Sequence, residues 1–270
     1  IGRLIVGHNF HHLKIIEDHP FNELAWFNLG AAYQGLKLYE KSIDAYQYAI
    51  AIDEKFDYAY RNMGDAFIRL RKFREAIEML ERVLELSRPE AVIYEAIGHC
   101  YHRMKNFAQA RFHYKKAAHL NPDDSRLYQK IAATYMQEAH WELAIKQLEH
   151  AISIHKHINE YNILIGECYM NLGLFKEAAT FFTLVVRNKP KQIAGWEYLI
   201  KCLVGNEQLD TALEQTELAY LSTNGKMIFV FYRSAILFMM NKQEEGLLQL
   251  EMALSKSAKM LKKFVKFYPE

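Results

Sequence analysis

The sequence predicts an all-α solenoid of about seven helix-turn-helix repeats, on three observations. Small residues recur every 34 positions, two helical faces keep the same phase within each 34-residue block, and prolines stand near several block ends. A period of this length held over most of a chain indicates a stacked repeat array. Each unit of such an array buries its apolar face against its neighbours, so one continuous strip of core is expected.

The small residues define the blocks, because they stand at place 8 of each one. They are Gly30, Gly64, Gly98, Ala132, Gly166, Ile200 and Ser234, of which only Ile200 is large. The corresponding blocks are 23–56, 57–90, 91–124, 125–158, 159–192, 193–226 and 227–260. A mid-helix glycine costs about 1 kcal/mol of helix stability relative to alanine, so the recurrence of glycine at place 8 of several blocks indicates a packing requirement.

The first helix of each block is predicted from places 4, 7, 8 and 11, which have the i, i+3, i+4, i+7 spacing of one helix face. In block 91–124 these places hold Tyr94, Ile97, Gly98 and Tyr101. Place 10 takes mostly small residues, and the three cysteines of the chain fall there. We therefore expect the cysteines to be buried free thiols.

The second helix is predicted from a small residue at place 20 and further packing residues four and seven positions later. In block 91–124 these are Ala110, Tyr114 and Ala117, and Pro122 follows where the chain must leave the helix. Small residues at places 8 and 20 allow the two helices of a block to approach closely. Blocks 193–226 and 227–260 fit least well.

The eight residues just named in block 91–124 resemble the tetratricopeptide repeat, whose signature is W-x2-L-G-x2-Y, then A-x3-F, then P. The resemblance extends from Glu23 to about Met260 without an insertion. It implies a right-handed superhelical solenoid that acts as a non-catalytic scaffold for protein–protein interaction.

Both ends of the chain extend past the seven blocks. Residues 1–22 are predicted to hold the second helix of a partial preceding repeat, since Ile15 and Pro20 fall one period before Ala49 and Glu54. Residues 256–270 are predicted to form a capping helix or a truncated eighth repeat. The chain is therefore expected to be a piece of a longer protein or a processed form.

Composition restricts the class of partner. The chain has 34 basic and 32 acidic residues and a formal net charge of +2, which gives no global field to attract nucleic acid or an anionic membrane. No apolar run approaches the roughly 20 residues of a membrane span. We expect no nucleic-acid or membrane partner and a cytoplasmic location.

The resemblance also implies where a ligand would bind, because ligands of this family contact places 2, 5, 9, 12 and 13 of the first helices. Carried over to blocks 57–90, 91–124 and 125–158, with Lys130 at the adjacent place 6, the implied peptide-binding groove is lined by Tyr58, Arg61, Asp65, Arg69, Glu95, His99, His102, Arg103, Arg126, Gln129 and Lys130. Basic residues outnumber acidic ones in this set. The expected ligand is therefore an acidic peptide, with Arg61, Arg126 and Lys130 supplying the electrostatic attraction.

One subset of the family binds a C-terminal carboxylate through two asparagines and three cations. The cations correspond here to Arg61, Arg126 and Lys130, whereas the asparagine places hold Asp65 and Ala96. Asp65 would repel the carboxylate, which disfavours this particular mode of binding.

Block 227–260 has an apolar stripe at the same places. An alternative apolar groove would be lined by Ile228, Phe231, Phe238 and Met239. Such a stripe could accept an amphipathic helix, or residues 256–268 could cover it as a terminal cap.

No catalytic motif, metal site or cofactor is predicted. His99 and His102 lie one turn apart with Glu95 a turn before, but zinc requires three or four converging ligands. There is no phosphate-binding glycine loop and no nucleophile with an evident base. The remaining alternatives are a regulatory or substrate-recruiting segment of a larger multidomain enzyme, an RNA-binding helical repeat, and self-association through the repeat ends.

Overall fold

The computed structural model describes residues 13–156 and 159–267, with side chains described through residue 256. Within those ranges all regular secondary structure is helical. The internal contacts divide the chain into two compact units, Ile1–Glu138 and Ala139–Glu270. The predicted fold class, an all-α array of helix-turn-helix units, is confirmed.

The first unit contains a helical stretch at residues 13–18 followed by seven helices. These are α1 (Glu23–Gly35), α2 (Tyr39–Ile52), α3 (Asp57–Arg69), α4 (Phe73–Leu86), α5 (Ala91–Arg103), α6 (Phe107–Leu120) and α7 (Ser125–Gln137). Ile16 of the leading stretch is buried against Ala25 and Leu29 of α1 and Ala45 of α2. The first helix pair therefore has apolar cover on the side that precedes it in the sequence.

The second unit also has seven helices among its described residues. These are α8 (Trp141–Ile154), α9 (Asn159–Asn171), α10 (Phe175–Asn188), α11 (Ile193–Gly205), α12 (Leu209–Ser222), α13 (Ile228–Met239) and α14 (Gln243–Phe267). From α1 to α11 every odd-numbered helix begins at the first residue of a predicted block. Helix α13 begins one residue late, at Ile228, after a turn in which Asn224 and Gly225 have positive φ. Residues 1–12, 157–158 and 268–270 of the predicted segments lie outside the described residues.

The glycines at place 8 allow close contact between the two helices of a pair. A Cβ added to Gly98 would lie 2.7 Å from the ring of Tyr114 and 3.2 Å from the carbonyl oxygen of Ala110. The same addition at Gly166 would lie 2.6 Å from the ring of Phe182. The ring at place 24 is therefore the main reason that place 8 must be small.

The turns between paired helices share one backbone conformation. The residue at place 15 of each block has a positive φ, between 57° and 73°, at Lys37, Arg71, Lys105, Ala139, Gly173, Glu207 and Asn241. In the first turn the Lys37 N–H donates to Gln34 O and the Leu38 N–H donates to Tyr33 O, both at 2.9 Å. This is the Schellman arrangement that ends many helices. In this turn it fixes the direction in which α2 leaves α1.

The core of each unit is built from the predicted apolar places. In the first unit Ile97 and Cys100 of α5 pack with Leu80 and Val83 of α4. In the second unit Phe182, Trp196 and Ile200 belong to one large cluster. Cys100, Cys168 and Cys202 are buried and free, as expected, and burial raises the pKa of the Cys100 thiol to about 11.

The last described helix spans the boundary between the last block and the segment predicted as a cap. Residues 256–267 continue α14 as part of one 25-residue helix that begins at Gln243, without an intervening turn.

Candidate functional site

The candidate site lies on the first helices of the first unit, where polar contacts connect one repeat to the next. Gln34 of α1 donates from Nε2 to Asp65 of α3 at 2.7 Å. The carboxylate of Glu95 on α5 pairs with the ammonium of Lys130 on α7. These contacts place the odd-numbered helices of this unit side by side on one face.

A cleft of about 520 Å³ opens on this face between α3, α5 and α7. Six of the sequence-predicted residues line it: Asp65, Arg69, Glu95, His99, Arg103 and Lys130. Ile68, Val92 and Ala96 supply an apolar wall, and Arg71 adds a further cation. We call this cavity the arginine cleft. Its size is in the range of cavities that accept small ligands.

A second cleft of about 720 Å³ adjoins the first, and Val92 and Glu95 line both. Arg126 lies here, together with Arg88 and the carboxylates of Glu90 and Asp124. Three carboxylates, counting Glu95, face two guanidinium groups, so the two clefts differ in the sign of their net charge.

The remaining predicted residues of this groove line neither cleft. Tyr58 is 60% exposed, and its ring packs edge-on against Phe56 with centroids 6.4 Å apart. His102 contacts the ring of Phe107 edge-on at 5.5 Å. Arg61 reaches toward the second cleft, and Gln129 is half-buried on α7.

Each of the three cations expected to attract the ligand already has a carboxylate partner. Arg61 Nη2 lies 2.7 Å from Glu90 Oε2. Arg126 donates to both oxygens of Asp124, from Nε at 2.9 Å and from Nη2 at 2.8 Å. Lys130 pairs with Glu95. A ligand carboxylate would have to compete with these internal partners.

The carboxylate of Asp65 is held in place from behind by a short network. Buried Tyr46 donates its hydroxyl to Gln34 Oε1 at 2.7 Å, and Gln34 in turn donates to Asp65. The pKa of Tyr46 is raised to about 12, and burial is the largest cause of the rise. Arg69 lies farther from Asp65, with Nε and Oδ1 3.6 Å apart. Asp65 is thus a fixed negative charge at one edge of the arginine cleft.

Two histidines of the site are kept neutral near pH 7. Partial burial, followed by the charges of Arg103 and Lys130, lowers the pKa of His99. Burial and then Arg103 lower the pKa of His102. His99 therefore offers one N–H donor and one nitrogen acceptor to a ligand in the cleft.

Arg71 is the site residue that the sequence pattern missed. It follows α3 at place 15, in the left-handed turn conformation with φ 61°, whereas the family pattern selects only places on the first helix itself. The available signal was the concentration of charge in the stretch Arg69-Leu70-Arg71-Lys72 at a helix end.

The apolar stripe of the last block is partly buried and partly exposed. Ile228 and Phe231 are buried, at 6% and 1% exposure, in the same core cluster as Trp196 and Leu199. Helix α13 is apolar on nearly every side, and a helix of that kind belongs in a core. Phe238 and Met239 are exposed, at 37% and 54%.

The described residues contain no group of three or more His, Cys, Asp or Glu side chains arranged to hold a metal ion. None of their helices is both long enough and apolar enough to cross a membrane.

Known proteins share the fold at low sequence identity. YrrB, described as a TPR protein with an unusual peptide-binding site, has 16% identity, coverage of 69% of this chain and 96% of its own, and a TM-score of 0.59. The C-terminal part of a TPR repeat-containing protein from Cytophaga hutchinsonii has 15% identity, coverage of 85% and 94%, and a TM-score of 0.72. MamA from Desulfovibrio magneticus has 18% identity, coverage of 63% and 96%, and a TM-score of 0.58.

No curated protein is a significant match in sequence. Models of the tetratricopeptide repeat match residues 23–88, 57–121 and 160–192. These matches show that the chain contains tetratricopeptide repeats, and the helix pairs and the fold of the structural neighbours agree with this.

Proposed function

We propose that this chain is a non-catalytic scaffold that binds an acidic segment of a partner protein in the groove of its first unit. One observation carries the proposal. The arginine cleft has four cationic side chains, Arg69, Arg71, Arg103 and Lys130, against the two carboxylates of Asp65 and Glu95, which gives a local charge of +2. The whole chain has the same net charge spread over 270 residues, so the cleft is locally far more cationic than the rest.

The helices that line the cleft support binding without a large ordering cost. The side chains that line the cleft project from α3, α5 and α7, which pack in the array of helices, and from the turn that follows α3. A rigid surface loses little conformational entropy when a ligand binds, so more of the contact energy appears as affinity. An extended peptide can then follow the cleft across successive repeats.

The charge distribution favours a peptide over RNA. Carboxylates alternate with cations along the groove, at Asp65, Glu90, Glu95 and Asp124. A nucleic-acid backbone needs a continuous cationic track, because each phosphate is repelled by an interleaved carboxylate.

Two other roles stay predictions. Whether the chain is a segment of a larger enzyme is checked from the flanking coding sequence. Whether it self-associates is checked by light scattering at several concentrations.

The proposal is tested by selecting displayed random 12-residue peptides on the purified 270-residue chain. We expect enrichment of Asp and Glu, and fluorescence anisotropy of selected peptides should show weaker binding at 300 mM than at 50 mM NaCl. Enrichment of basic or purely apolar peptides would contradict the proposal.

A matched pair of variants locates the binding surface. Arg69→Glu with Lys130→Glu reverses two charges that line the cleft, and should abolish binding of the selected peptides. Arg74→Glu with Lys115→Glu reverses two exposed charges on α4 and α6, outside the cleft, and should leave binding nearly unchanged. Equal losses from both variants would show that the cleft is not the site. Circular dichroism checks that both fold.

A further inference from the structure

We propose that Arg71 and Arg103 directly bind an anionic group, a carboxylate or a phosphate, on the partner peptide. An aliphatic side chain next to that group in the peptide packs against Val92 and Ile68. This inference rests on the proposed function and adds the residues and the ligand chemistry. It replaces the expectation that Arg61, Arg126 and Lys130 supply the main electrostatic contacts.

The cations of the groove differ in whether a carboxylate already pairs with them. Arg61, Arg126 and Lys130 are each paired with a carboxylate, and Arg69 is near Asp65. Within the described part of the chain, neither Arg71 nor Arg103 has a carboxylate within 4.0 Å. A ligand anion gains most from a cation that does not have to give up an existing partner.

Both arginines are held by the fold. The Arg71 backbone is fixed in its turn because its N–H donates to Ile68 O at 3.0 Å and the following N–H donates to Phe67 O at 2.9 Å. The Arg103 guanidinium lies over the ring of Phe73, 5.4 Å from the ring centroid. A guanidinium stacked on an aromatic ring loses part of its rotational freedom but keeps its N–H donors at the edge. The Arg103 guanidinium therefore enters the cleft from a stacked position, and the Arg71 side chain extends from a fixed backbone turn.

The rest of the cleft defines what accompanies the anion. Val92 is 51% exposed, and with Ile68 and Ala96 it forms an aliphatic wall. Asp65, held by Gln34, would repel an anion placed next to it. The ligand chemistry that fits is therefore an acidic or phosphorylated residue next to an aliphatic one, not a uniformly acidic run.

The test measures the affinity of labelled 12-residue peptides for the full chain by fluorescence anisotropy. Arg71→Gln and Arg103→Gln should each weaken binding about tenfold or more, as expected for the loss of a charge-assisted hydrogen bond. The matched controls are Lys72→Gln and Lys105→Gln, which remove the same charge from neighbouring turn positions outside the cleft. These controls should change affinity less than twofold.

Conservative variants separate direct contact from general charge. Arg103→Lys keeps the charge but loses the paired N–H donors, so it should recover only part of the affinity that Arg103→Gln loses. If Lys72→Gln weakens binding as much as Arg71→Gln does, the loss comes from the overall electrostatic potential and not from a direct contact, and the proposal is overturned.

Three peptides distinguish the sources of the anion. One carries an internal Glu beside Leu, one carries phosphoserine beside Leu, and one has only its free C-terminal carboxylate beside Leu; the first two are amidated. Dependence of any of them on both arginines supports the site and identifies the source.

The failure of this inference is distinguishable from failure of the proposed function. If acidic peptides bind but lose affinity only with Arg61→Gln, Arg126→Gln or Lys130→Gln, the function stands and the assignment of Arg71 and Arg103 is wrong. If no acidic peptide binds the unaltered chain, both fail.

Discussion

At the scale of single residues, the close contact between Gly98 and Tyr114 gives the first prediction. Gly98→Ala should destabilise the fold by about 1 to 2 kcal/mol, because the new methyl group meets a rigid ring and a backbone oxygen, and this outweighs the helix-propensity gain of about 1 kcal/mol. Gly64→Ala is the matched control, since its methyl group meets the flexible Leu80 side chain at 3.1 Å. That change should be close to neutral.

The measurement is urea-induced unfolding of both glycine variants, followed by circular dichroism. Equal losses of stability for Gly98→Ala and Gly64→Ala would show that ring rigidity does not decide the effect.

His113 gives a second prediction at this scale, concerning pH. It is 7% exposed, its ring stacks on that of Tyr101 with centroids 5.4 Å apart, and its Nδ1 has no hydrogen-bond partner among the described residues. Burial, followed by the charge of Lys116, lowers its pKa to about 4. The unfolded chain therefore binds this proton more readily, and stability should fall by about 2 kcal/mol as the pH drops from 7.5 to 5.

The matching variant is His113→Phe, because Phe181 occupies the same place in block 159–192 and stacks on Tyr169 at 5.6 Å. Its unfolding free energy, measured by urea titration at both pH values, should lack the share of the pH dependence that His113 contributes. Replacement of the exposed His119 by Gln serves as the control. A variant that keeps the full pH dependence of the unaltered chain would contradict this account.

Individual ion pairs mark the limit of what the sequence could predict at this scale. Arg61 and Glu90 are 29 positions apart, and Glu95 and Lys130 are 35 apart. Neither spacing equals the 34-residue period, so the partners follow from side-chain reach between adjacent helices and not from the repeat. The helix faces could be predicted; which cations were already paired could not.

At the scale of elements, the turn after each first helix gives the next prediction. Glu207 has a φ of 57°, is exposed, and occupies the left-handed position of the turn between α11 and α12. Non-glycine residues are strained in this conformation by about 1 kcal/mol. Glu207→Gly should therefore stabilise the protein by a few tenths to about 1 kcal/mol, after the entropy of the unfolded chain is counted.

The control for the turn prediction is Glu214→Gly, in the exposed middle of α12, which should destabilise by about 1 kcal/mol. Thermal unfolding of the two variants should shift in opposite directions. A loss of stability in both would show that the turn residue is not strained.

Helices as elements were predictable because packing repeats. Places 4, 7, 8 and 11 mark one face wherever neighbours on both sides are alike, and α5 follows that pattern closely. Helix α13 does not, because its groove-side residues Ile228 and Phe231 lie in the core. The sequence showed that these residues are apolar but could not show whether they would be covered.

At the scale of the whole molecule, an overall charge of only +2 means that electrostatic binding must come from local charge, and this charge depends on pH. His99 lies among Arg103, Lys130, His102 and Glu95, and burial first and then the cations lower its pKa. An anion bound in the arginine cleft stabilises the imidazolium form, so the pKa of His99 is higher in the complex than in the free protein. Binding then takes up a proton, and affinity rises as the pH falls.

We therefore expect a Glu-containing peptide to bind the full chain several-fold more tightly at pH 6.0 than at pH 7.5, because its carboxylates, with pKa values of about 4.3, stay ionised over this range. Fluorescence anisotropy at constant ionic strength measures the effect. His99→Gln should remove the pH dependence, whereas His119→Gln, on the exposed face of α6, should preserve it. Weaker binding at pH 6.0, or the same dependence in His99→Gln, would mean that the bound anion does not lie beside His99.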